Sequence, residues 1–119
     1  MKLKTVHVDD RRRIYLIEDM LMDRSEFTII DINKNKAIGG CIHPTAEFFC
    51  IIEGEVWVKI GESTQIMTAG QSGYIPANYP HMFVGITSAT VIEWGVKPED
   101  KGTHDKQMRK EVNVINGED

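Results

Sequence analysis

Short runs rich in β-branched and aromatic residues recur along this chain, broken by turn signals every 8–12 positions. That spacing leaves room for strands of five to seven residues and for no long helix before about residue 98. "RIYLIED" and "EFTIIDIN" read as the first two strands, and "NKNKAIGG" as a turn leading out of the second. "TAEFFCIIEGEVWVKIG" reads as two strands meeting near Glu53–Gly54. "GEST" is a hairpin turn before "TQIMTAG", and "GYIPA", "HMFVGI" and "TVIEWGV" follow as strands. The pattern predicts an all-β sandwich or barrel. After it, "DKQMRKEVNVI" predicts a short C-terminal helix or docked arm. The expected division is a barrel over residues 1–98 and a partly flexible arm over 99–119, fraying at "NGED".

The 119 residues suit a single core. With 41% hydrophobic and 27% charged residues, the chain has the composition of a soluble globular protein. A net charge of -4 does not favour binding to a nucleic-acid backbone, which requires a clustered basic excess. The only basic run, Arg11-Arg12-Arg13, follows Asp9-Asp10 and reads as a solvated face. There is no apolar stretch of membrane-spanning length and no signal-peptide core, so the expectation is a cytoplasmic protein with neither nucleic-acid nor membrane partner. Cys41 and Cys50, nine positions apart in one strand-like run, point to opposite faces and predict no disulfide between them.

Chemistry concentrates in "GGCIHPTAEFFCIIEG", Gly39 to Gly54. Cys41, His43, Glu47, Phe49 and Ile51 share one parity, and line one face if the strand keeps its register past Pro44. Phe48, Cys50 and Ile52 line the other. Both faces are apolar beyond Glu47, so both are expected to be buried, one in the barrel and one against a second layer or subunit. Pro44 itself argues for a bulge or strand edge. A buried Glu needs a pair, a hydrogen bond or a metal. A second histidine, His81, is fed into a strand by the turn "IPANYPH". His43, Glu47 and His81 with Cys41 form a mixed N, O and S set able to bind Zn, Fe(II), Ni or Mn.

These residues resemble the cupin superfamily. Its first motif ends His, three residues, Glu, six residues, Gly, as do His43, Glu47 and Gly54. Its second motif runs Gly, five residues, Pro-x-Gly, two residues, His. Gly70, Pro76 and His81 match, with Asn78 at the Gly position, and Asn tolerates positive φ. Cys41 stands where the first motif has a His. The resemblance implies a double-stranded β-helix (jelly-roll) barrel, with Cys41, His43, Glu47 and His81 at its four metal positions. "DDRRRIYLIED" and the tail after "VIEWGV" are also similar to cupin epimerases and 3,4-ketoisomerases of nucleotide-linked sugars, though Arg13 and Gly39 depart from that pattern. That resemblance implies metal-free proton transfer next to a keto group, with His43 or His81 as base and Tyr74 or Tyr79 as acid. One of Arg11, Arg12 and Arg13 would then reach the pocket mouth to bind the diphosphate.

The functional expectation is thus a small-molecule-binding cupin homodimer. It holds a divalent transition metal, or serves as a sugar isomerase. The alternative is a metal-free binding or structural module. His7 and His104 are expected at the surface, Trp57 and Trp94 in a core or interface, and Met20 and Met22 as packing residues of a loop or strand edge.

Overall fold

The computed structural model describes residues 3–17, 27–97, 100 and 102–118. Among these residues, eleven strands precede one helix. They are β1 (Leu3–Val8), β2 (Arg12–Ile17), β3 (Phe27–Ile32), β4 (Ala37–Ile42), β5 (Glu47–Glu53) and β6 (Glu55–Ile60). Then come β7 (Ser63–Thr68), β8 (Ser72–Ile75), β9 (His81–Gly85), β10 (Ala89–Trp94), β11 (Thr103–His104) and the helix α1 (Lys106–Ile115). Met20 and Met22 lie outside the described residues.

Two antiparallel sheets face each other. The six-stranded sheet has the order β1-β2-β3-β10-β5-β8 and the five-stranded sheet β11-β4-β9-β6-β7. Alternation decides what each strand turns inward. Phe49 and Ile51 of β5, Val91 of β10, Ile30 and Ile32 of β3, and Val56, Val58 and Phe83 of the facing sheet make the core. The all-β expectation holds, and most strand assignments match to within a few residues. "AIGGCI" is a full strand rather than part of a turn, because the turn closes in Lys34–Asn35, where Asn35 takes the left-handed φ of 65°.

The stretch around Pro44 is not one continuous strand. β4 ends at Ile42 and β5 starts at Glu47, in the opposite sheet. Pro44 cannot donate to a ladder, so the chain crosses between sheets there. The two faces of β5 also differ from the expectation of burial on both. Phe49 and Ile51 are fully buried, whereas Phe48 and Ile52 are 40% and 48% exposed. Neighbours continue this outer face, with Phe27, Trp94, Phe48 and Tyr74 forming a row across four strands at successive ring separations of 6.1, 6.0 and 5.3 Å.

The helix starts where Asp105 caps it, accepting from the Met108 amide at 2.9 Å. Met108 and Val112, one turn apart, bury against Ala37 and Met82 on the outer side of the five-stranded sheet. Asn116 then clamps the Ala37 backbone with two hydrogen bonds of 2.7 and 2.8 Å. Arg109 donates to the Gly39 carbonyl at 2.8 Å. β11 and the helix are in this way fastened to β4, the strand that leads into the site. Among the described residues no helix is long and apolar enough to cross a membrane.

Candidate metal centre

His43 lies in the crossing between the sheets, Glu47 opens β5 and His81 opens β9. The crossing brings the first two together, with His43 at its start and Glu47 at its end. One main-chain bond then ties the crossing to the loop before His81, as the Asn78 amide donates to the His43 carbonyl at 2.7 Å. Asn78 makes that bond with φ at 67°, the left-handed region that the sequence pattern expects at this position. Behind the His43 ring lies Gly102, where an added Cβ would fall 2.7 Å from Nδ1.

His43, Glu47 and His81 each offer one ligand atom, and these atoms lie within 4.8 Å of one another. Glu47 and His81 are buried, at 3% and 4% exposure, and His43 is half-buried. His81 Nδ1 faces the Tyr79 carbonyl at 3.3 Å. A carbonyl can only accept, so the ring proton sits on Nδ1 and Nε2 presents a lone pair. That Nε2 lies 3.3 Å from Glu47 Oε2, and His43 Nε2 lies 3.8 Å from the same oxygen. Oε2 has no hydrogen-bond partner among the described residues although it is buried. An orphaned buried carboxylate oxygen facing two imidazoles fits a cation.

Titration properties agree. Burial lowers the pKa of both histidines below the ordinary 6.5; for His43 the neighbouring His81 adds to this, and for His81 the Glu93 charge opposes it. Both rings are therefore neutral, the form that binds metal. Burial raises Glu47, and a hydrogen bond with Glu93 moderates the rise. Glu93 of β10 is raised well above the ordinary carboxylate range, first by burial and then by the Glu47 charge.

Glu93 did not enter the sequence motifs, yet it lines the cavity with Thr28, His43, Glu47, Trp94 and Val96. The cavity measures about 180 Å³. A signal for it was available, because Val91 and Glu93 share the inward parity of β10.

The remaining sequence candidates fall elsewhere. Cys41 pairs with His81 across β4 and β9, but its sulfur is not in the three-atom set. Burial raises its thiol pKa, as do the Glu93 and Glu47 charges, which disfavours a thiolate ligand. Tyr74 packs on Phe48 at the outer face, because it has the parity opposite to the buried Ile75. Tyr79 is 50% exposed beside Gly61. Neither tyrosine lines the cavity. Of the arginines, Arg11 pairs with Asp9 at 3.0 Å. Arg12 turns inward, with a buried Nε that has no partner among the described residues and a charge felt by Cys41 and Glu93. His7 and His104 are exposed, Trp57 packs under the helix, and both cysteines are free.

The family model described as the cupin domain matches residues 29–94. The chain is a cupin. No curated protein sequence matches this cupin. Among solved structures, it superposes on an RmlC-like cupin from Shewanella frigidimarina with a TM-score of 0.68 at 18% identity, over 78% of this chain and 82% of that one. CapF of Staphylococcus aureus, a capsular polysaccharide assembling protein, gives 0.69 at 18% identity, over 88% of this chain and 32% of that one. A variant of Bacillus subtilis oxalate decarboxylase gives 0.70 at 14% identity, over 93% and 33%. This cupin therefore spans about a third of the latter two proteins. At these identities the likeness is one of fold.

Proposed function

We propose that this cupin binds a divalent transition metal through His43, Glu47 and His81 and acts on a small, oxygen-rich ligand in the adjoining cavity. The observation that carries the reading is the orphaned Glu47 Oε2, buried and facing two neutral imidazoles. When bound, the ion would act as a Lewis acid toward a ligand oxygen. The chain's own contribution is positioning. The Tyr79 carbonyl fixes the His81 tautomer, and Val96 supplies apolar wall beside the ligand. A volume of about 180 Å³ admits a compact acid or a single sugar ring, with anything larger left at the mouth.

Elemental analysis of untagged protein purified without chelator is expected to find close to one equivalent of Zn, Fe, Ni or Mn. Folded protein that stays metal-free when offered each ion would sink the reading. The affinity should rise with pH. A proton held by the Glu47–Glu93 pair above the ordinary carboxylate value of 4.5 competes with the ion, and that competition fades once the pair ionises. Calorimetric titrations between about pH 5 and 8, in buffers of different ionisation enthalpy, should report proton release that shrinks toward high pH.

A second reading, an isomerase acting on a nucleotide-linked keto-sugar, draws support from the N-terminal likeness, the inward Arg12 and the RmlC-like and CapF folds. With Tyr74 and Tyr79 off the cavity, the acid would be a histidine or Glu93. Solvent deuterium entering such a sugar in the presence of chelator would favour this reading over the metal one. A metal-free binding module is the remaining alternative, and it predicts neither metal nor exchange.

We also propose a homodimer through the outer aromatic row of the six-stranded sheet. Its large half-exposed rings are the kind of patch that a subunit covers. Light scattering at micromolar concentration should give twice the chain mass, and Phe48→Asp should give a monomer. A monomeric wild type would remove the claim.

A further inference from the structure

Resting on the metal-binding reading above, we propose that Gly102 is a positioning residue of the metal centre, whose bare backbone braces the His43 imidazole from behind. The two histidines are held in different ways. His81 has its Nδ1 against the Tyr79 carbonyl at 3.3 Å. His43 Nδ1 is buried and has no hydrogen-bond partner among the described residues. Ligand histidines are ordinarily oriented through a hydrogen bond from that second nitrogen. For His43 the orienting contact is steric. A Cβ built on Gly102 would fall 2.7 Å from Nδ1 and 2.9 Å from Cε1 of the ring, and 2.5 Å from the Ile42 carbonyl oxygen. Carbon atoms do not approach that closely without strain, so glycine alone lets the main chain lie against the ring.

Both backbones are pinned, which leaves the ring as the part that yields. On one side, β11 pairs with β4, Thr103 opposite Ile42 and His104 opposite Cys41. The Asp105 amide donates to the Gly40 carbonyl at 2.9 Å, and Asp105 caps the helix that Asn116 and Arg109 fasten to β4. On the other side, the His43 carbonyl accepts from the Asn78 amide at 2.7 Å. The ring borders the cavity, so it has room to move. A methyl group at position 102 therefore displaces the imidazole, and with it the Nε2 that faces Glu47 Oε2. Groups of a functional site must keep their places to within about 0.5 Å. Relieving a 2.7 Å contact to an ordinary separation of about 3.5 Å requires more movement than that. The C-terminal arm is in this way part of the metal centre without supplying a ligand.

The test uses the full-length protein, stripped of metal and titrated with Co(II) and Zn(II) against a competing chromophoric chelator. Wild type, Gly102→Ala and Gly85→Ala would be compared, with thermal melts giving the folded fraction of each. Gly85 lies at the opposite end of β9 from His81, and a Cβ there would fall 2.8 Å from the Asn33 and Thr87 carbonyl oxygens. Its substitution strains the barrel without touching a ligand. Gly102→Ala is expected to weaken both ions about 10- to 100-fold, the loss typical of disturbed supporting groups. Gly85→Ala should lower the melting temperature and keep the wild-type affinity. The imidazole nitrogen resonances of His43 should move in Gly102→Ala while those of His81 stay. In stripped wild-type protein a nuclear Overhauser contact should join Gly102 Hα to His43 Hε1, which tests the brace even where Gly102→Ala does not fold. Wild-type affinity in Gly102→Ala, equal losses in the two glycine variants, or the lack of that contact would overturn the proposal while the metal reading stands. A wild type that shows the contact and binds neither ion would overturn the metal reading itself.

Discussion

His81→Ala is expected to give a folded barrel that has lost at least about 100-fold in metal affinity, the upper range seen when even supporting groups of a site are removed. Of the three proposed ligands, His81 has the most fixed geometry. Its proton is committed to Tyr79 on one side, and on the other its lone pair faces Glu47 Oε2 at 3.3 Å. No described residue can replace it from the same strand, since the next inward position on β9 is Phe83, buried in the core. Some stability is lost as well, because a buried ring is removed. Two readouts separate the effects. Circular dichroism and a chelator-treated melt report the fold, and elemental analysis reports the ion. A variant that keeps its metal at wild-type affinity would show that the centre lies elsewhere.

Phe49→Ala should cost about 3–5 kcal/mol, the usual range for a buried aromatic truncated to Ala. Phe49 is fully buried and meets Phe83 edge-on at 5.0 Å between ring centroids, bridging the two sheets. Across the strand pair it covers Gly73, where any Cβ would stand 2.3 Å from the ring. The backbone there cannot easily collapse to fill the hole, so relaxation recovers little of the loss. Against a total stability of about 5–15 kcal/mol, the variant is marginal. Its melting temperature should fall on the order of 15 °C. A denaturant melt showing a loss below about 1 kcal/mol would mean that this contact does not hold the sheets together.

Phe49 and Glu47 illustrate what the sequence exposes and what it hides. The inward parity of Glu47, Phe49 and Ile51 is legible because side chains alternate and the chain stays extended over those residues. The parity link from Cys41 and His43 to Glu47 is not a strand at all. Pro44 carries the chain to the other sheet, and the residues meet because the sheets face each other. Motif spacing captured that meeting without its cause. β1 was missed because none of its side chains is buried, so no alternation marks it; only pairing with β2 makes it a strand. Tyr74 and Tyr79 look close to His81 in the chain. One sits on the outer face by parity, and the other at an exposed turn, so chain proximity misled. Glu93 lies outside both motifs, 12 positions after His81, and reaches the site only through the β10–β5 pairing.

The bond from the Asn78 amide to the His43 carbonyl has an evolutionary corollary. It uses main-chain atoms on one side of the cavity to hold main-chain atoms on the other. The spacing between the His43 crossing and the loop before His81 is thereby held by main-chain atoms, which every residue type but proline supplies. What must persist is a residue at 78 that accepts a left-handed turn, a role open to Gly or Asn. A lineage can in this way change the side chains of the crossing while inheriting the placement of His43 against His81.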